Sequence, residues 1–279
     1  MPNLPPLELP KKAVELRIDI LKMLNAAGSG HSGGSLGMAD IFTALYFHIL
    51  HHDPENPEWA DRDRLFLSNG HIVPVRYAAM AHAGYFPITK LKTLREFGSD
   101  LQGHPERTRM MSLESTSGPL GSGLGQAAGY AYAARMDNKR FRTYCITSDG
   151  EHDEGNHWES VMFAAKYKLG NLTVFVDRNN IQIDGFTHNV MPLESLSEKY
   201  KAFNWNVVSI DGHNFNQILS AVEQARSEYQ RPTVIIAKTI PGKGVYFMEN
   251  KFEWHGKVPD DAQTKEAVKI LTKQLKEYE

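Results

Sequence analysis

Four short runs rich in β-branched residues constrain the fold of this chain more than anything else in it: RTYCIT from Arg142, NLTVFVD from Asn171, WNVVSI from Trp205 and PTVIIAKT from Pro232. Between them lie patterns with apolar residues at helical spacing, NHWESVMFAAKYKLG and NQILSAVEQARSEY. Continuous apolar strands suit a sheet covered on both faces, and strands alternating with helices suit parallel pairing. An α/β fold follows, a parallel β-sheet flanked by helices. RLFLSNGH, from Arg64, is expected to add a short strand running into a glycine turn.

The first segment reads as helical, with Val14, Ile18, Leu21 and Leu24 at helical spacing and a second helix, ADIFTALYFHIL, beginning near Met38. ITKLKTLREFG predicts a helix with Thr89 as N-cap and Gly98 as its stop. GLGQAAGYAYAARM predicts another, whose small residues permit close packing on a sheet, whereas residues 99–118 show little periodicity. An amphipathic helix is expected over about 260–278. With no repeat, low-complexity linker or second core, residues 1–279 are expected to form a single domain.

Composition narrows the partners. Lys and Arg total 31 against 33 Asp and Glu, which gives no electrostatic reason to expect nucleic acid or an anionic membrane. The lead MPNLPPLELPKK has neither a basic start nor an apolar core, and no later run approaches the roughly 18 apolar residues of a membrane span. A cytoplasmic location is the expectation. The single cysteine, Cys145, lies inside an apolar run, as a buried structural thiol would, and excludes an intrachain disulfide.

Candidate chemistry sits where the strands end. In an open parallel sheet, ligands bind beyond the carboxyl ends of the strands, and Asp149 and Asn179 fall at two such ends. A carboxylate and an amide carbonyl are hard oxygen donors suited to magnesium or calcium, and a backbone carbonyl could complete the set. Gly150 would let a phosphate approach the backbone, beside the amides that open the next helix. Taken singly, SDG and NN are ordinary turns; their paired placement points to a metal bridging a diphosphate.

Asp149-Gly150 followed thirty residues on by Asn179 resembles the thiamine diphosphate motif of the transketolase family, with Ser148 in place of the motif's first glycine. Four histidines beside glycines, His31, His71, His104 and His255, lie in contexts similar to distinct transketolase segments, in the family's order. The resemblance runs from about Leu9 to Val258. It implies a thiamine diphosphate-binding domain in which Asp149, Asn179 and the carbonyl of Ile181 hold the metal. It further implies that His71, Gly118, Leu120, Gly150, Asn179, Ile183 and His255 contact the cofactor. His31, His104 and His255 would serve the sugar donor, and Glu154 would work at a subunit interface. Leu120 and Ile183 could equally be ordinary core.

In the family, the glutamate that works on the aminopyrimidine and the arginines that bind the sugar phosphate come from a second domain. The resemblance therefore implies the N-terminal subunit of a split transketolase, with a separate C-terminal subunit carrying the pyrimidine-binding domain, two copies of each chain, and sugar phosphates as substrates. Rivals remain. A 1-deoxyxylulose phosphate synthase shares the diphosphate motif, although GHPE at 103–106 is more similar to transketolase. Gly123-x-Gly125-x-x-Ala128 forms a weak dinucleotide fingerprint that would suit a nicotinamide-dependent dehydrogenase, but polar, turn-prone sequence precedes it. A non-catalytic, partner-binding subunit would have no use for Asp149, Asn179 and the histidines.

Overall fold

A computed structural model describes residues 3–278; Met1, Pro2 and Glu279, at the ends of the expected 1–279 span, lie outside it. The elements are α1 (Leu9–Ala27), α2 (Ser32–Gly37), α3 (Ala39–Ala44), β1 (Arg64–Leu67), α4 (Val73–Ala83), α5 (Gly123–Met136), β2 (Thr143–Ser148), α6 (Gly155–Lys166) and β3 (Leu172–Arg178). They continue with β4 (Ile181–Gln182), β5 (Gly185–Phe186), α7 (Thr187–Val190), α8 (Leu196–Ala202), β6 (Asn206–Asp211), α9 (Phe215–Ser227), β7 (Thr233–Lys238) and α10 (Asp261–Leu275).

The five-stranded sheet has the order β1-β2-β3-β7-β6, and every pairing is parallel. Successive strand side chains point to opposite faces, which here divide the core in two. Leu65, Leu67, Tyr144, Ile146, Phe175, Ile235 and Ala237 pack with α1, α3, α4, α9 and α10. Phe66, Cys145, Val174, Val176, Val234 and Ile236 pack with α5, α6 and α8 on the other side. Cys145 is fully buried. Only the edge strand β6 departs from the expected run: Asn206, Val207 and Val208 are partly exposed and Ser209 and Asp211 face solvent.

One helical expectation needs correction, and two helices are additions. The helix expected from near Met38 opens there, as α3 with Met38 at its N-cap, and the first addition, α2, runs into it through Met38. The glycines of α2 allow its close docking: a Cβ at Gly37 would stand 3.0 Å from the carbonyl oxygen of Ile240, and one at Gly33 3.2 Å from that of Trp254. Thr89 does not cap an α-helix. Residues Ile88–Thr93 form a 3-10 helix capped at Pro87, and Arg95 already has a left-handed φ of 62°. Ile88, Leu91 and Leu94 recur every three residues, the period of a 3-10 turn, and Leu91 and Leu94 are the buried members. Finally, α4 is an addition to the expected helices; nearly all of its residues are buried, so it carries no polar face.

Past β3 the chain turns through Asn180, at φ 64°, into the small antiparallel pair β4–β5, whose tip is Ile183-Asp184. At the C-terminus, α10 opens on a capping box between Asp260 and Gln263, and packs against α1.

Candidate active site

Asp149 follows β2 and Asn179 follows β3, the neighbouring strand, so the sheet brings both to one edge as their spacing suggests. Three donors reach the Asp149 carboxylate. Its Oδ1 accepts from the Gly150 amide at 2.8 Å, and its Oδ2 accepts from the Asn180 amide at 2.7 Å and from Arg178 Nη1 at 2.9 Å. Asn179 Oδ1 accepts from the Ile181 amide at 3.0 Å, and Asn179 Nδ2 donates to Asp177 Oδ2 at 2.8 Å. Asp177 also accepts from the Thr239 hydroxyl.

Burial dominates the electrostatics. It raises Asp149 to about 6 despite the Arg178 guanidinium, and raises Asp177 to about 7, with the nearby Asp149 carboxylate adding to the rise. Of these two buried acids only Asp149 meets a guanidinium, and that Arg178 is shared with Glu194, so the site is short of positive charge. A hard divalent cation would relieve that shortage, and the carboxylate, the amide oxygen and the Ile181 carbonyl are the donors such a cation takes. The residues present therefore fit a magnesium or calcium ion.

A cavity of about 430 Å³ opens over this edge and is lined by His31, His71, His104, Gly118, Leu120, Ser148, Asp149, Gly150, Asn179, Ile181, Gln182, Ile183, Asp184 and His255. Every residue expected to hold metal, cofactor or donor sugar is in its wall. They arrive from distant parts of the chain. His31 precedes α2, His71 sits in the 3-10 turn after β1, His104 in the irregular segment before α5, and His255 just after the 3-10 turn Phe252–Trp254. The rings of His31, His71 and His255 form a triangle with centroid separations of 5.0, 5.2 and 5.7 Å.

Burial lowers the proton affinity of all four histidines. His31 is held down at about 4, first by burial and then by His255, Arg95 and His104, and His71 lies well below its ordinary value for the same first cause. His255 is lowered by burial alone, and His104 by burial and then by Arg95. Buried Nδ1 atoms of His31 and His255 have no hydrogen-bond partner in the protein, so polar capacity is left unspent in the cavity's wall residues.

Leu120 and Ile183 are not core residues. Leu120 is 37% exposed and Ile183, on the tip of the β4–β5 hairpin, 66% exposed, so both present apolar surface at the cavity. Glu154, outside the cavity, is exposed at the start of α6. Sequence reasoning misses Gln182 and Asp184 in the wall, and Asp177, Arg178 and Thr239 beneath it; a short hairpin after a strand leaves no periodic trace. The dinucleotide fingerprint finds no strand before it: Gly123 opens α5 out of a loop, and a Cβ there would lie 2.5 Å from the Cβ of Ser68. Those glycines serve helix packing.

Comparison with known proteins agrees with this geometry. The family described as "Transketolase, thiamine diphosphate binding domain" matches residues 10–277. The chain therefore belongs to the transketolase family, as its thiamine diphosphate-binding part. Among relatives of its own length, it is 44% identical to the 6-deoxy-6-sulfo-D-fructose transketolase subunit of Clostridium sp. over 268 residues, 96% of this chain and 98% of the relative. It is 36% identical to an apulose-4-phosphate transketolase subunit of Phocaeicola vulgatus, covering 93% of this chain and 92% of that one. The fold is also similar to a transketolase from Leishmania mexicana, with a TM-score of 0.85 and 28% identity over 97% of this chain, but 46% of that chain. A Pichia stipitis transketolase in complex with sedoheptulose 7-phosphate gives a TM-score of 0.86 at 30% identity, over 97% of this chain and 44% of that chain. The chain thus spans less than half the length of these solved transketolases.

Proposed function

We propose that this chain is the N-terminal subunit of a split, thiamine diphosphate-dependent transketolase, moving a two-carbon ketol unit between sugars that carry an anionic group. The observation that carries this reading is the convergence of Asp149, Asn179 and Ile181 with His31, His71, His104 and His255 around one cavity. Relatives matching over nearly their whole length are named as transketolase subunits, which supports a separate partner chain. That partner would carry the pyrimidine-binding domain, and two copies of each chain in a cytoplasmic heterotetramer complete the reading.

In this assignment Asp149, Asn179 and the Ile181 carbonyl hold Mg²⁺ or Ca²⁺ against the diphosphate, and Gly150, His71 and His255 contact the phosphates. Gly118, Leu120 and Ile183 supply the surface for the rings, while Glu154 faces another subunit. When bound, thiamine diphosphate supplies the electron sink that breaking a carbon–carbon bond beside a ketone requires. Neutral His31, His104 and His255 give and take protons at the donor's hydroxyl and carbonyl oxygens, because an uncharged imidazole has one nitrogen of each kind.

The test is calorimetry of thiamine diphosphate binding to the assembled complex at fixed magnesium. Asp149→Ala leaves the diphosphate charge poorly compensated, and its affinity should fall by at least about 100-fold, beyond what loss of a residue behind a metal ligand typically costs. Unchanged binding would sink the assignment.

A further inference from the structure

Two histidines that the proposed reaction does not use, His152 and His157, lie buried directly behind the Asp149 turn, in GEHDEGNHWES. Both meet the hydroxyl of the fully buried Tyr200 on α8: His152 Nε2 at 2.9 Å and His157 Nε2 at 2.8 Å. The other nitrogen of His152, Nδ1, lies 2.9 Å from the Ser148 carbonyl oxygen and 3.1 Å from that of Asp149. His157 Nδ1 has no partner.

Proton counting fixes this chain of bonds. A carbonyl oxygen only accepts, so His152 Nδ1 carries the hydrogen and donates. In neutral His152, Nε2 is then a bare acceptor and takes the Tyr200 hydroxyl proton. The Tyr200 oxygen must in turn accept, so His157 Nε2 carries a hydrogen and His157 Nδ1 is bare. The reverse arrangement needs a buried imidazolium at His152 and strands an N–H at His157 Nδ1, both costly where water is excluded.

We infer that His152, Tyr200 and His157 form a relay of fixed tautomers that sets the peptide plane of the metal-binding turn, and so are positioning residues for the cofactor site. The peptide linking Asp149 to Gly150 is rigid and its C=O and N–H point in opposite directions. His152 holds the C=O from behind, and the N–H on the other side is bonded to Asp149 Oδ1. Orienting the carbonyl therefore aims the amide and the carboxylate that faces the cavity. The relay draws on three elements, α6, α8 and the 3-10 turn Gly150–Asp153, and Trp158 ties it further by donating to the His152 carbonyl at 2.8 Å. Residues behind metal ligands orient them in this way in many proteins.

This inference rests on the cofactor site proposed above, and two independent readouts separate the two. ¹⁵N-histidine spectra of the full chain in complex with its partner should show His152 protonated at Nδ1 and His157 at Nε2, near neutral pH. Tyr200→Phe keeps the shape of the ring but removes the shared hydroxyl. It should shift the His152 Nε2 signal, weaken thiamine diphosphate binding about 10-fold at fixed magnesium, and leave the KM for the ketose donor unchanged. His152→Leu should weaken cofactor binding at least as much. A charged His152, the opposite tautomers, or wild-type cofactor affinity in Tyr200→Phe would each overturn the relay. A wild-type complex that binds no thiamine diphosphate would overturn the functional reading and the purpose assigned to the relay, while the spectra still decide whether the tautomers are fixed.

Discussion

A histidine that stays neutral can both give and take a proton, and burial keeps the four around this cavity in that state. The same burial makes them an acid-sensitive element. For His31 the ordinary value of 6.5 applies to the unfolded chain and about 4 to the folded one. Unfolding therefore takes up a proton between those limits, and the contribution of His31 is fully present above about 6.5 and is lost as the pH falls toward about 4. Denaturant melts of the complex from pH 7.5 to 4.5 should show stability falling across this window, and His31→Gln should flatten the slope. An equal slope in the variant would show that His31 titrates alike in the folded and unfolded protein. These side chains were legible together rather than one by one, since a lone His-Gly pair is an ordinary turn and only the four contexts in their order along the chain form a pattern. The supporting shell of Asp177, Arg178, Thr239, His152 and Tyr200 was not, because hydrogen bonds between side chains of different elements leave no mark on local sequence.

Among elements, the strands of the sheet were the most readable, because burial on both faces makes each a run of apolar residues. Burial on all sides had the opposite effect on α4, whose periodicity it erased. The segment at Ile88–Thr93 looked helical because a three-residue repeat mimics part of a 3.6-residue one. At α2 the sequence showed the glycines but not the reason for them, which is contact with backbone from the far end of the chain. Adding a methyl group there should be felt. Gly37→Ala sets a Cβ against the Ile240 carbonyl oxygen, 3.0 Å away, and overpacking of this kind costs about 1–3 kcal/mol. Denaturant unfolding of the complex would register it as a lower midpoint; an unchanged midpoint would mean that the 240–248 loop yields freely.

At the scale of the whole molecule, the cavity is walled on one side only by residues of this chain. Its apolar rim at Leu120 and Ile183 is exposed. No glutamate of this chain lines the cavity among the described residues, which agrees with the proposal that the partner chain supplies the one for the aminopyrimidine. Purified alone with thiamine diphosphate and magnesium, the chain should transfer no ketol unit from xylulose 5-phosphate to ribose 5-phosphate, and mixing with the partner chain should restore transfer. Robust sedoheptulose 7-phosphate formation by the isolated chain would refute the split reading.

The seating of α2 against the loops at Ile240 and Trp254 has a consequence for the time at which the site comes into being. His31 and His255 stand about 220 residues apart, and ribosomes add roughly 5–20 residues per second. The first histidine thus leaves the ribosome roughly 10 to 45 s before the last. During that interval α2 has glycines but nothing to dock on, and its hollow is open to any other backbone nearby.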